Sequence, residues 1–141
     1  MAGTQVKTAR PDADIATEIQ HIIVSYPPLN HDRQHLQVSV EDGSVTIKGH
    51  TRTPINRRYL GDVLPTVAGI TDANADELYD DETIRFEAGR TTPDSIIVGN
   101  VYYGRVALTG SVPPDISAAQ IVAAVEKIPG VVKVLTDFRS S

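Results

Sequence analysis

The sequence predicts an α+β fold built from two repeated α-β-β-α-β units, each a three-stranded sheet with helices on one face. The first observation is a gap-free internal repeat, in which glycines and aliphatic residues recur 61 positions apart. The repeated glycines pair as Gly43 with Gly104, Gly49 with Gly110, and Gly69 with Gly130. The second observation is that each copy has alternating apolar residues around a short turn, followed by an amphipathic helix. The repeat predicts a tail over residues 1–11, a first unit over 12–76 and a second over 77–141.

The composition is that of an ordinary soluble domain, with 141 residues, 40% of them hydrophobic and 22% charged. There is no cysteine, which excludes disulfides, thiolate metal sites and a cysteine nucleophile. The net charge of −5 lacks the basic footprint of nucleic-acid-binding proteins, so no nucleic acid partner is expected. The N-terminus has no signal-like apolar region and no apolar stretch is long enough to span a bilayer. The sequence as it stands therefore predicts a cytoplasmic protein.

Each unit is expected to contain a β-hairpin closed by a glycine-containing turn. Apolar and polar residues alternate over residues 38–47, and Asp42-Gly43 between them is a strong signal for a type I′ turn. The second turn is Tyr103-Gly104; because tyrosine tolerates positive φ poorly, a type I turn with a glycine bulge is expected there. Gly49 and Gly110 end the second strands, where an unusual backbone angle or a close approach is expected.

An amphipathic helix and a third strand follow each hairpin. In the first unit Thr53 can cap the helix, Pro54 fits its first turn and Pro65 should end or kink it. The apolar face of this helix is expected to include Ile55. In the second unit residues 117–120 have the pattern of a capping box. Third strands are predicted over residues 70–75 and 131–138, after glycines suited to helix C-termini.

A leading helix is expected before each hairpin. In the first unit it covers residues 14–25 and faces its isoleucines inward. In the second unit residues 80–89 begin with three acidic residues, which favour a helix N-terminus, but their apolar residues also alternate as in a strand. We predict a helix here.

The repeated pattern resembles the BON domain. It reads Val-x-x-Gly-x-Val-x-Ile/Leu-x-Gly, then an amphipathic helix, then Gly-Val/Ile-x-x-Val/Ala, and both copies match it over roughly residues 12–138. The first copy departs at Ala73, where the family usually has valine, and the leading helix of the second copy does not align cleanly. The resemblance implies a bacterial, non-enzymatic tandem BON protein related to osmotic stress. It also implies association with the cell envelope and binding of phospholipid or another anionic ligand, and one branch of the family senses potassium.

The candidate ligand site is a cationic cluster at the strand-to-helix corner of the first unit. Its members are Lys48, His50, Arg52, Arg57 and Arg58. Cations beside the free N–H groups of a helix N-terminus make an anion site in physical terms, whereas the alternative is a solvated surface patch. The corresponding stretch of the second unit is uncharged, so the first unit is expected to carry any anion affinity.

Three other features have weaker functional interpretations. The segment His31-Asp32-Arg33-Gln34-His35 has two histidines four residues apart, but that spacing suits a metal only on a helix, this segment is a predicted loop and no third ligand is in view, so no metal is expected. The acidic run at Asp76, Glu77, Asp80, Asp81 and Glu82 lacks the pattern of a calcium loop and is interpreted as a solvated helix start at the junction of the units. Tyr102 and Tyr103 suit a protein contact or a membrane interface, or local packing of at least one ring.

The sequence contains none of the common catalytic motifs. There is no nucleophile elbow, phosphate-binding loop or dinucleotide fingerprint, so neither an enzyme nor a cofactor is predicted. Two functions from different classes remain. The chain is either a binding module for anionic phospholipid headgroups or membrane surfaces, or a structural protein that associates with itself or with another protein.

Overall fold

The computed structural model describes residues 10–140 and confirms the α+β fold of two repeated units. The first unit contains α1 (Asp12–Ser25), β1 (Leu36–Glu41), β2 (Ser44–Thr51), α2 (Pro54–Val63) and β3 (Asp72–Asp80). The second contains α3 (Asp81–Thr91), β4 (Ile96–Tyr102), β5 (Arg105–Val112), α4 (Ala118–Glu126) and β6 (Lys133–Ser140). Short 3-10 helices cover Pro27–Leu29, Arg33–His35 and Leu64–Thr66. Most of the predicted tail, residues 1–9, lies outside the described residues.

Both sheets have the same topology. The middle strand, β2 or β5, pairs antiparallel with the strand before it and parallel with the third strand of its unit. The parallel pair needs a crossover, which α2 and α4 provide. One aliphatic cluster fills each unit between its helices and one sheet face; Ile19 and Ile47 are fully buried in the first, and Leu108 and Val125 at least nearly so in the second. The opposite face of each sheet is left open.

Local sequence signals explain where the helices begin and end. The Thr53 side chain accepts a hydrogen bond from Asn56 N, and α2 gives way to a 3-10 turn at Leu64, just before Pro65. Ser117 and Gln120 form the predicted capping box. The predicted leading helix of the second unit is confirmed as α3, capped by Asp80.

The structure corrects the junction of the units and one core residue. Residues 76–80 belong to β3, so Asp76 and Glu77 lie on a strand rather than at a helix start. The strand continues because its parallel pairing with β2 extends to the Thr51–Asp80 pair. The first unit therefore passes directly into α3 without a linker. Ile55 is 67% exposed and does not join the buried side of α2, which carries Asn56 and Leu60.

The turn of the second hairpin also differs from expectation. Tyr102 pairs with Arg105, which leaves a two-residue turn, and both Tyr103 (φ 48°) and Gly104 (φ 85°) have positive φ. The first turn has the same form, with φ values of 52° at Asp42 and 81° at Gly43. The expected glycine bulge is absent because tertiary contacts of Tyr103 compensate for its unfavourable backbone conformation.

Candidate functional site

The two units differ most in the connection between the leading helix and the hairpin. Asp12 at the start of α1 corresponds to Asp81 at the start of α3, 69 positions later, whereas the hairpin turns are 61 positions apart. The first unit therefore has eight more residues between its helix start and its hairpin turn; α1 is three residues longer than α3, and the rest of the difference lies in the connection that contains both early 3-10 helices. We call residues 27–35 the inserted segment. It explains why the leading helix of the second unit does not align at the offset of the hairpin.

The inserted segment supplies a buried carboxylate to the contact between the units. Asp32 is 1% exposed and accepts hydrogen bonds from the side chains of Asn56, at 2.9 Å, and Tyr103, at 2.8 Å. The backbone N–H of Arg52 also donates to it, at 3.3 Å. A buried carboxylate is tolerated only when such donors replace water. Asp32 therefore joins the first unit to the turn of the second.

Tyr103 of the second unit packs against Asp32 and His35 of the first unit. Its ring is 5% exposed and stacks on His35, with ring centroids 3.5 Å apart. Burial, and after it the hydrogen bond to Asp32, raise the pKa of the Tyr103 phenol far above its ordinary value. Tyr103 is thus packed, as one alternative predicted for at least one of the two rings, but against the distant residues Asp32 and His35 rather than locally, while Tyr102 beside it is 53% exposed.

Asp81 stabilises the strained turn from the other side. Its two carboxylate oxygens accept from the backbone N–H groups of Tyr103, at 2.7 Å, and Gly104, at 3.0 Å. Asp12 caps the turn of the first unit in the same way, at 2.8 and 3.0 Å. Asp81 has an additional partner, because the Arg52 guanidinium donates to it at 2.9 Å and to the carbonyl of Val101 at 2.7 Å.

A second contact between the units lies where His50 meets the turn before β6. The Nε2–H of His50 donates to the carbonyl of Gly130 at 2.6 Å. A Cβ at Gly104 would lie 2.5 Å from His50 Nε2, and one at Gly130 would lie 2.6 Å from Cγ of Tyr79. Both positions also have positive φ, so glycine is required for conformation and for close approach alike.

A cleft of about 390 Å³ opens beside these contacts. The residues with side-chain hydrogen-bonding groups around it are Gln34, His35, Gln37, His50, Tyr102, Tyr103 and Arg105. Gly49 and Val132 complete the lining. Within residues 10–140 no aspartate or glutamate lines this cleft, although the whole chain carries a charge of −5. The cleft is therefore suited to an anion rather than a cation.

Only part of the predicted cationic cluster is free to contact a ligand. Arg52 pairs with Asp81, and Arg57 pairs with the fully buried carboxylate of Asp80 at 3.0 Å. Lys48 and His50 lie two residues apart on β2, and Lys48 is 3.9 Å from Glu77. Arg58 is exposed on α2. The Arg52–Asp81 pair joins the two units, and the pairs of Arg57 and Lys48 tie β3 to α2 and β2 within the first unit, so the cluster also has a structural role that its sequence does not reveal.

A second set of cations lies on the open face of the second sheet. Arg105 on β5 pairs in register with Lys133 on β6, and Arg139 lies on the same face further along β6. All three are exposed, and none of their side chains forms an ion pair or hydrogen bond with another residue in the described range. Val132, Leu135 and Ile97 are exposed on or beside this face, at 63%, 47% and 60%. Asp137 is also exposed on this face, between Leu135 and Arg139. We call these seven residues the open face.

The residues considered for a metal do not assemble a site. Asp32 points into the contact between the units and His35 stacks on Tyr103. Of the residues in the range 10–140, no group of three or more His, Asp or Glu side chains is placed to hold a metal ion. The same range contains no helix that is long and apolar enough to cross a membrane.

Comparison with known proteins establishes the family. The BON domain model matches the chain twice, over residues 11–74 and 80–139. The chain therefore belongs to the BON domain family and carries two copies of the domain in tandem. No curated protein matches.

Two solved structures have the same fold. One is described as CdsD, a structural protein of the type III secretion system of Chlamydia trachomatis, with 14% identity, a TM-score of 0.73 and 99% of this chain covered. The other is the C-terminal domain of CdsD from that organism, with 16% identity, a TM-score of 0.65 and 93% covered. This chain spans 66% of the length of each of those chains. At these identities the likeness concerns the fold alone.

Proposed function

We propose that this tandem BON protein is a non-catalytic binding module for anionic phospholipid headgroups, and that the open face is its contact surface. The observation that carries the proposal is the set of unpaired cations, Arg105, Lys133 and Arg139, beside exposed aliphatic side chains. Like charges directly opposite each other across strands are destabilising, and an anionic ligand would relieve the repulsion between Arg105 and Lys133.

The expected affinity is weak and depends on salt. Each cation near an anionic surface contributes about 1 kcal/mol, and its effect falls off within a Debye length of about 10 Å at 0.1 M salt. The net charge of −5 opposes approach to such a surface. The aliphatic side chains of the open face add contact with the interfacial region of the bilayer, which salt does not screen.

Sedimentation with vesicles tests this function. Vesicles of phosphatidylcholine with phosphatidylglycerol should bind the wild type at low salt and release it at high salt. The double variant Arg105→Ala/Lys133→Ala should lose most of this binding. The matched control is Arg85→Ala/Lys127→Ala, which removes two exposed, unpaired cations of the same unit away from the open face. Equal binding by both double variants would contradict the proposal.

The cationic cluster predicted from the sequence requires its own variants in the vesicle experiment. Arg52→Ala or Arg57→Ala would also break an ion pair at the junction, so loss of binding would not identify a ligand contact. Arg58→Ala is a cleaner test, because Arg58 is exposed and has no ion-pair partner among residues 10–140. If Arg58→Ala weakens vesicle binding and Arg105→Ala does not, the first unit carries the affinity.

The second candidate function is a structural role through self-association. The exposed Ile97, Leu135 and Val132 favour it, as does similarity of fold to a protein described as a structural component of a secretion system. Light scattering over a range of protein concentrations distinguishes the two functions. A concentration-dependent oligomer that Leu135→Asp disrupts, without vesicle binding by the wild type, would favour the structural role.

A further inference from the structure

We propose that the cleft between the two units is a discrete binding site for a phosphate group, with Arg105 supplying the counter-charge. The inference rests on the proposed function for the chemistry of the ligand, and it adds a specific site that requires both units. The cleft volume of about 390 Å³ lies within the range of small-molecule sites, about 300–1,000 Å³.

The charge of the lining selects an anion. Among the described residues that line the cleft, Arg105 is the one with a permanent positive charge, and no carboxylate there offsets that charge. Lys133 lies beside Arg105 in the register of β5 and β6. Two adjacent positive charges favour a doubly charged phosphate over a singly charged carboxylate, and the planar fork of arginine matches phosphate oxygens.

Uncommitted polar side chains complete the site. The amide groups of Gln34 and Gln37 and the hydroxyl of Tyr102 have no hydrogen-bond partner among residues 10–140. In contrast, the hydroxyl of Tyr103 is committed to Asp32, and Nε2 of His50 to Gly130. The structural contacts thus hold the walls of the cleft in place, while other side chains remain available to a ligand.

The site exists only when the units are docked. Gln34, Gln37 and His50 come from the first unit, and Tyr102 and Arg105 come from the second. Loss of the Asp32–Tyr103 hydrogen bond would loosen the wall that separates the cleft from the buried contact. Phosphate binding is therefore expected to depend on Asp32, which does not line the cleft itself.

The test is a titration of the ¹⁵N-labelled full chain with inorganic phosphate, followed by amide chemical shifts at constant ionic strength. Saturable shifts are expected in both units, around residues 48–50 and 102–106. Arg105→Ala should weaken phosphate binding about tenfold, the equivalent of one lost charge-assisted hydrogen bond. Arg85→Ala, the removal of an exposed arginine elsewhere in the second unit, should change nothing, and Asp32→Ala, which removes the acceptor of the Tyr103 hydroxyl, should weaken binding without removing a cation.

Shifts that do not saturate, that stay within one unit, or that are equal in the Arg105→Ala and Arg85→Ala variants would overturn the site. A parallel titration with glycerol 1-phosphate tests whether the headgroup of a lipid fits as well as the free ion. The vesicle experiment separates the two proposals. Vesicle binding with a flat phosphate titration would reject the cleft and keep the function, and the opposite result would reject the lipid surface and keep the cleft.

Discussion

The two units share one fold but have opposite roles in the contact between them. In the first unit, Asp32 and His35 of the inserted segment, residues 27–35, contact the side chain of Tyr103. The second unit has only four residues between α3 and β4, and its hairpin turn packs against the inserted segment of the first. A short inserted segment is thus enough to make a repeated fold asymmetric. Because the second unit lacks the inserted segment, it could not bind the hairpin turn of a further BON domain through the same contact.

The equivalent aspartates at the two helix starts also differ in what they contact. Both cap a hairpin turn, but Asp12 is half-buried and serves the turn alone, whereas Asp81 is 3% exposed and also holds Arg52. The turn of the first unit has Asp42 where that of the second has Tyr103, and Asp42 is exposed. The same capping geometry therefore supports an exposed turn in the first unit and, in the second unit, a turn that packs against the first unit.

The largest effect is expected for Asp81→Ala. It leaves two buried N–H groups without an acceptor and Arg52 without its counter-charge, which should lower the free energy of unfolding by about 3–5 kcal/mol. Asp12→Ala removes the matching cap from the first unit and should cost only about 1–2 kcal/mol, since water can replace part of it. Urea unfolding of both variants measures the difference. Equal losses would mean that docking adds nothing to the role of Asp81.

Asp32→Ala comes next, because it removes the acceptor that joins the units. Three donors lose their partner, on Arg52, Asn56 and Tyr103, and the expected loss is about 2–3 kcal/mol. Nuclear Overhauser contacts between the rings of His35 and Tyr103 should weaken as the turn leaves its place. If those contacts persist unchanged, stacking rather than the carboxylate holds the units together.

Tyr103→Phe isolates the hydroxyl group and should cost about 1 kcal/mol near neutral pH. Its pH dependence is more specific. Because the pKa of Tyr103 is raised in the folded state, the wild type retains this stability below the ordinary tyrosine pKa, about 10, and loses it as the pH rises above that value. The variant should show a shallower loss of stability from pH 9.5 to 11.5. Tyr102→Phe is the control, since its exposed hydroxyl has no described partner, and it should follow the wild type.

Local sequence patterns were sufficient for the repeat, the helix caps at Thr53 and Ser117, and the leading helix of the second unit. They were insufficient wherever a distant residue decides the outcome. Asp32 and Tyr103 are 71 positions apart, so nothing around Asp32 indicates that a phenol will satisfy it. Local propensity disfavours positive φ at Tyr103, and tertiary contacts override it. The one available signal was the failure of the leading helix to align at 61 positions, which marks the inserted segment.

The same limit explains the cationic cluster. Five basic or ionisable side chains near one corner resemble a free anion site in the sequence, but the partners of Arg52 and Arg57 follow 29 and 23 residues later. On β5 and β6 the cations are scattered through the sequence, and only parallel pairing places Arg105 beside Lys133. Sheet register, which single residues do not specify, decides which cations are available to a ligand.

The smallest effect is expected for Lys48→Ala, compared with Arg57→Ala from the same predicted cluster. The Lys48–Glu77 pair is 3.9 Å apart with both side chains more than half exposed, so its loss should change the free energy of unfolding by less than about 0.5 kcal/mol. Arg57 pairs with the buried carboxylate that also caps α3 through Thr83, and its loss should cost about 1–2 kcal/mol. Urea unfolding at low and high salt measures both. Since screening acts on exposed charges first, only the small Lys48 effect should vanish at high salt, and a Lys48→Ala cost as large and salt-resistant as that of Arg57→Ala would assign Lys48 the same structural role as Arg57.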